Sequence, residues 1–192
     1  MPATDISCLK SLFFISLTMS LFLCASVVSA QEGPSEKHVA AMKKLDFLIG
    51  KWKGVGWQMT PQGAKEDAMV EENIRPKLDG LVLMVEGVGK RTDPETGKEM
   101  IVHNALGLMS YDPYGGGYKM QSHLSNGRST TADAKFNDDG SFVWWFKTPQ
   151  GTIRYTIKLN SADQWHEIGE FSADGENWRQ FFEMTLDRVE TE

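Results

Sequence analysis

Thr152-Ile153-Arg154-Tyr155-Thr156-Ile157-Lys158-Leu159 sets Ile153, Tyr155, Ile157 and Leu159 against Arg154, Thr156 and Lys158 in strict alternation. A period of two puts one set on a single face of a strand, whereas a helix would scatter it around the axis. Pro149-Gln150-Gly151 precedes the run as a turn, and the aromatic-rich stretch 142–148 lies before that turn, so the two segments make a hairpin. Working outward, the same pattern recurs from Gly50 onward. Ten strands are predicted at 51–60, 69–78, 81–91, 100–111, 118–124, 130–136, 142–148, 152–159, 165–171 and 178–189. The turns between them are marked by Asp93-Pro94-Glu95-Thr96-Gly97, Asp112-Pro113-Tyr114-Gly115, Asp138-Asp139-Gly140 and Asp174-Gly175.

Short turns make sequence neighbours into spatial neighbours, and an open meander of this length would leave two bare edges. The expected fold is therefore all-β, an antiparallel up-and-down barrel, with a short helix capped by Ser35 running from Glu36 to Leu45. In that helix Val39, Met42 and Leu45 should share one side. A barrel of about eight strands already has room for one small ligand, so ten should enclose a cavity. In the last strand Trp178, Phe182, Met184 and Leu186 are expected inside, opposite Arg179, Glu183 and Asp187. Trp144-Trp145 must split, one ring facing the lumen and the other facing out. The outer ring could meet a helix, solvent or a second subunit, so a homodimer is among the arrangements the sequence allows.

The first thirty residues read differently. Lys10 precedes an apolar run from Leu12 to Val28, and Val28-Ser29-Ala30 places small side chains where signal peptidase cleaves. Residues 1–30 are expected to be a signal peptide, leaving 31–192 as a single domain beginning at Gln31. Ser16, Thr18, Ser20 and Ser26 dilute the run, so no stable membrane insertion is expected after cleavage. The expected location is periplasmic or secreted. Cys8 and Cys24 both lie in the removed part, so the mature domain holds together without disulfides. The formal charge of −6 argues against a nucleic-acid partner.

Leu45-Asp46-Phe47-Leu48-Ile49-Gly50-Lys51-Trp52-Lys53-Gly54-Val55-Gly56 resembles the opening of calycin-type barrels, nitrobindin-like haem barrels among them. Together with Phe182-Glu183-Met184-Thr185-Leu186-Asp187-Arg188 at the close, the chain resembles an exported bacterial member of domain of unknown function 1579. The nitrobindin likeness implies a haem-ligating histidine near the C-terminal end. The last strand has none, and His166 lies one strand earlier, so haem is not expected and no cofactor is assigned.

No motif specifies a reaction. His38, His103, His123 and His166 show no metal-ligand spacing within one element. Tyr114-Gly115-Gly116-Gly117 lacks the Gly-Lys-Ser/Thr and helix of a phosphate loop, and Ser122-His123 lacks a nucleophile elbow. The pairs Glu71-Glu72 and Asp138-Asp139 read as solvated faces. The expected partner is a small hydrophobic molecule held in the lumen, with Trp52, His103, His123, Trp144, Tyr155, Phe182 and Met184 as candidate ligand contacts. The alternatives are a cofactor-independent isomerase or hydrolase using His103 or His123 as base, and a non-catalytic structural or interaction domain. Convergence of the two histidines with a carboxylate inside the cavity would favour chemistry.

Overall fold

The computed structural model describes residues 33–189. The expected signal peptide and its cleavage point after Ala30 lie outside the described residues. Helix α1 (Glu36–Lys43) and a 3-10 turn (Asp46–Leu48) lead into β1 (Gly50–Met59) and β2 (Lys65–Lys77). Then follow β3 (Val82–Thr92), β4 (Glu99–Asp112), β5 (Gly117–Leu124), β6 (Ser129–Phe136) and β7 (Phe142–Thr148). The chain finishes with β8 (Gly151–Leu159), β9 (Trp165–Ser172) and β10 (Arg179–Val189). Each strand pairs antiparallel with its sequence neighbour, and β10 returns to β1, closing the ten-stranded barrel. Closure leaves no free edge, which is how a chain of consecutive hairpins avoids exposing unpaired backbone.

The turns work by local carboxylate chemistry. Asp174 Oδ1 accepts the backbone N–H groups of Glu176 and Asn177 at 2.9 and 2.8 Å. With the Asn177 amide foremost, these donors hold its carboxyl far below the usual carboxylate range. Asp93 and Asp112 cap their turns in the same manner.

One end of the barrel is plugged. Ser35 Oγ accepts the His38 N–H and starts α1, and the helix ends by burying Met42, followed by Leu45 and Leu48. Val39 departs from expectation by remaining exposed, because only the C-terminal turn of α1 enters the rim. Tyr118 Oη donates to the Ala41 carbonyl at 2.8 Å and ties the helix to β5. Trp52 is the floor: its indole donates to the Leu48 carbonyl at 2.8 Å and meets Trp165 edge-on at 5.8 Å. The Arg188 guanidinium lies 4.0 Å from the Trp52 ring and donates to the carbonyls of Phe47 and Ile49. Above this floor sits a dense layer in which Phe142, Ile157, Trp165 and Leu186 are at most 2% exposed.

One expected face is corrected. Between β10 and β9 the register shifts from Gln180 to Phe182, a bulge that resets the alternation. Phe182, Met184 and Leu186 keep their inward positions, but Trp178 precedes β10 and lies on the outer wall. There its ring stacks on the Arg154 guanidinium at 3.7 Å, beside the Arg154–Glu170 ion pair.

Candidate functional site

Register carries the inward faces up the barrel. Trp144 on β7 pairs with Tyr155 on β8, and Tyr155 pairs with Gly169 on β9, which in turn pairs with Phe182 on β10. The result is an aromatic shelf. The Tyr155 ring stacks on Trp144 at 4.2 Å with an interplanar angle of 11°, and Phe146 extends the stack at 6.2 Å. Phe182 meets Tyr155 at 5.8 Å. Gly169 makes the arrangement fit, since a Cβ there would come within 2.8 Å of the Tyr155 ring.

Trp144, Phe146, Tyr155 and Phe182 all retain accessible surface, although they point into a closed barrel. One inward-facing position closer to the floor, the layer of Phe142, Ile157 and Trp165 has almost none. The side chains are therefore packed solid at the plugged end and keep accessible surface at the level of the shelf. Trp145, paired with the outward Arg154, is the tryptophan of the pair that faces away.

Two carboxyls share this lumen. Glu167 lies between inward Trp165 and Gly169 on β9 and is 6% exposed, with Trp165 Nε1 donating to its Oε2 at 3.2 Å. Burial pushes its carboxyl up to about 8, while the indoles of Trp165 and Trp144 act in the opposite direction. Glu72 lies between inward Val70 and Ile74 on β2, and its Oε2 is buried without a hydrogen-bond partner. Burial, followed by the charge of Glu167, pushes it up to about 8 as well. Its carboxyl occupies the space over Gly87 on β3, where a Cβ would come within 2.6 Å of Oε1. The Tyr155 phenol is raised above its usual range by burial and by Glu167, with Arg128 opposing. Near neutral pH these three groups are mostly uncharged.

The seven candidate contacts separate by position. Trp144, Tyr155 and Phe182 come together on the shelf, and Met184 pairs with Glu167 in the wall beside it. Trp52 belongs to the solid floor and is the direct cross-strand partner of Glu72. His103 shares the inward face of Gly89 at the open rim, where it stays exposed while its surroundings desolvate the ring and lower its pKa. His123 is corrected: its partner is the exposed Leu106 on the outer wall, opposite in face to His103. The two histidines do not meet. Their separation follows from the β4–β5 register, in which Ala105 pairs with Leu124 and Leu106 with His123.

The expectation that Glu71-Glu72 is a solvated face holds for Glu71 alone, which pairs with Lys53 at 2.9 Å. Glu72 and Glu167 were not singled out by the sequence reading, although each sits at every second position with apolar residues or glycine. His166 faces out, its Nε2 3.0 Å from Glu183 Oε1. With β10 lacking a histidine and His166 outside, the described residues do not fit the C-terminal haem ligand that the nitrobindin resemblance implies.

No family model matches the chain, and no curated protein matches it. Among solved structures, an S-type phycobiliprotein lyase from Guillardia theta is similar with a TM-score of 0.56 at 10% sequence identity. The alignment covers 79% of this chain and 94% of that one, and at this identity it shows a shared lipocalin-like barrel fold.

Proposed function

We propose that this chain is an exported barrel of the domain of unknown function 1579 type that binds one small, largely hydrophobic molecule in its lumen. The observation that carries the reading is the Trp144–Tyr155 shelf, an apolar surface left accessible inside a closed barrel above a solid floor. Apolar side chains pointing into a barrel are usually packed against one another; here a layer of rings keeps accessible surface. The phycobiliprotein lyase supports the fold of this reading and not its substrate. The enzymatic alternative loses the convergence of His103 and His123 that would have favoured it, because the two lie on opposite faces of the barrel wall.

Titration with a naphthalene-type apolar probe is expected to change tryptophan emission saturably, with about one site per chain. Tyr155→Ala should weaken binding by roughly tenfold through loss of stacked area. Lys158→Ala should leave it unchanged, since that side chain is exposed on the outer wall. Absence of saturable binding across fatty acids, isoprenoids and naphthalene probes would reject the reading. Export is tested separately: the mature protein from its own host should begin at or within a few residues of Gln31. An intact Met1 on membrane-bound protein would reject it.

A further inference from the structure

We propose that the lumen is built for an organic cation, an apolar body bearing a protonated amine, whose ammonium is held between Glu72 and Glu167, one ionised and the other protonated, while the body lies on the Trp144–Tyr155 shelf. The proposal rests on the lumen-binding reading and names the chemistry of its ligand.

Glu72 carries the argument. Its Oε2 is buried and unpartnered, and a buried acceptor left without a donor is unfavourable by more than an ordinary hydrogen bond contributes. Natural cores rarely keep such a group without a reason, and a ligand N–H would satisfy it. Among the described residues no lumen cation does so. Arg91, on the inward face of β3, pairs with Glu66 toward the open end, and Arg188 is spent on Trp52 and two backbone carbonyls at the floor. His103 stands at the rim on β4, and Arg128, in the β5–β6 turn, acts on Tyr155. From β1 and β10 the lumen receives Trp52, Gly56 and Met184, and from β7 Trp144, none of them titratable. Tyr155 on β8 is neutral.

The rest of the lumen suits the same guest. Aromatic faces attract a cation through the ring quadrupole, most strongly where water is excluded, and Trp144 and Tyr155 offer theirs within one stack. An anionic ligand would instead meet two acidic groups, with the inward Arg91 already paired to Glu66. A neutral alcohol could donate one hydrogen bond but would gain no ion pair. An ammonium offers several donors and gains a charge-assisted bond to whichever carboxyl ionises, with a further hydrogen bond to the carbonyl oxygen of the one that stays protonated.

Binding must move a proton. Near neutral pH the carboxyl that receives the ammonium is mostly protonated; on binding its O–H proton leaves to solvent, and the ammonium N–H donates to the resulting carboxylate. The affinity for an amine should therefore rise with pH up to about 8 and level off above it.

The test compares 2-(2-naphthyl)ethylamine with 2-(2-naphthyl)ethanol and 2-naphthylacetate by calorimetry at neutral pH, in two buffers of different ionisation enthalpy. The amine is expected to bind roughly tenfold or more tightly than the alcohol and to release close to one proton per site, with the alcohol releasing none. Glu72→Gln and Glu167→Gln should each weaken amine binding by about tenfold while leaving the alcohol within about twofold. If the alcohol or acid binds on the shelf as tightly as the amine, or the amine releases no proton, the cation proposal is overturned while lumen binding stands. If none of the three binds, both fail. Should either variant not fold, the proton count on the unaltered chain still decides.

Discussion

At about pH 9 the ligand-free double variant Glu72→Gln/Glu167→Gln is expected to gain stability relative to the unaltered chain, by on the order of 10 kcal/mol compared with the same difference at about pH 4. Both carboxyls rise from 4.5 to about 8 on folding. Below 4.5 they are protonated in the folded and unfolded states alike, so they add no pH-dependent penalty. As pH climbs from 4.5 to 8 the unfolded chain ionises while the folded chain does not, and stability falls across that window. Glutamine cannot ionise, so the variant escapes the fall. Burying two amides in place of two acids shifts both ends of the comparison equally, which is why the difference between the two pH values is the quantity to measure. Urea melts at both pH values check it. Equal effects of the substitutions at the two ends would mean that Glu72 and Glu167 are ionised and solvated in the folded protein.

Trp52→Ala is expected to destabilise the barrel by about 3–5 kcal/mol, with the loss appearing in thermal or urea unfolding at any pH. Trp52 is 1% exposed and joins three parts of the plug. Its indole holds the Leu48 carbonyl, its face carries Arg188, and its edge packs against Trp165. Truncation leaves a cavity at the floor, a buried carbonyl without its donor and a guanidinium without its platform. A change below about 1 kcal/mol would show that the floor collapses onto the space and that the plug is held elsewhere.

Much of the barrel was legible because alternation survives wherever a strand is regular. Ile153, Tyr155 and Ile157 face inward as read, and the glycine-marked turns join neighbouring strands. Trp178 was misplaced for a local reason: the bulge between Gln180 and Phe182 inserts a residue that neither composition nor period announces. The histidine pair failed on register, because adjacent strands alone do not say which residue opposes which. Glu72 and Glu167 were hidden by a different ambiguity. A glutamate between apolar neighbours looks alike on a wet face and in a lumen until closure assigns the parity of every strand. β1 supplies that assignment, since its register with both β2 and β10 fixes the side on which Trp52, Glu72 and Met184 stand.

The central claim is that the space above the floor is a ligand site, and a crystal structure of the protein soaked with the neutral probe 2-(2-naphthyl)ethanol tests it most directly. The account predicts the naphthalene inside the barrel, lying against Trp144 and Tyr155 with its hydroxyl toward Glu167. A lumen closed over by side chains at the level of the shelf, with the probe absent or bound only on the outer wall, would contradict it.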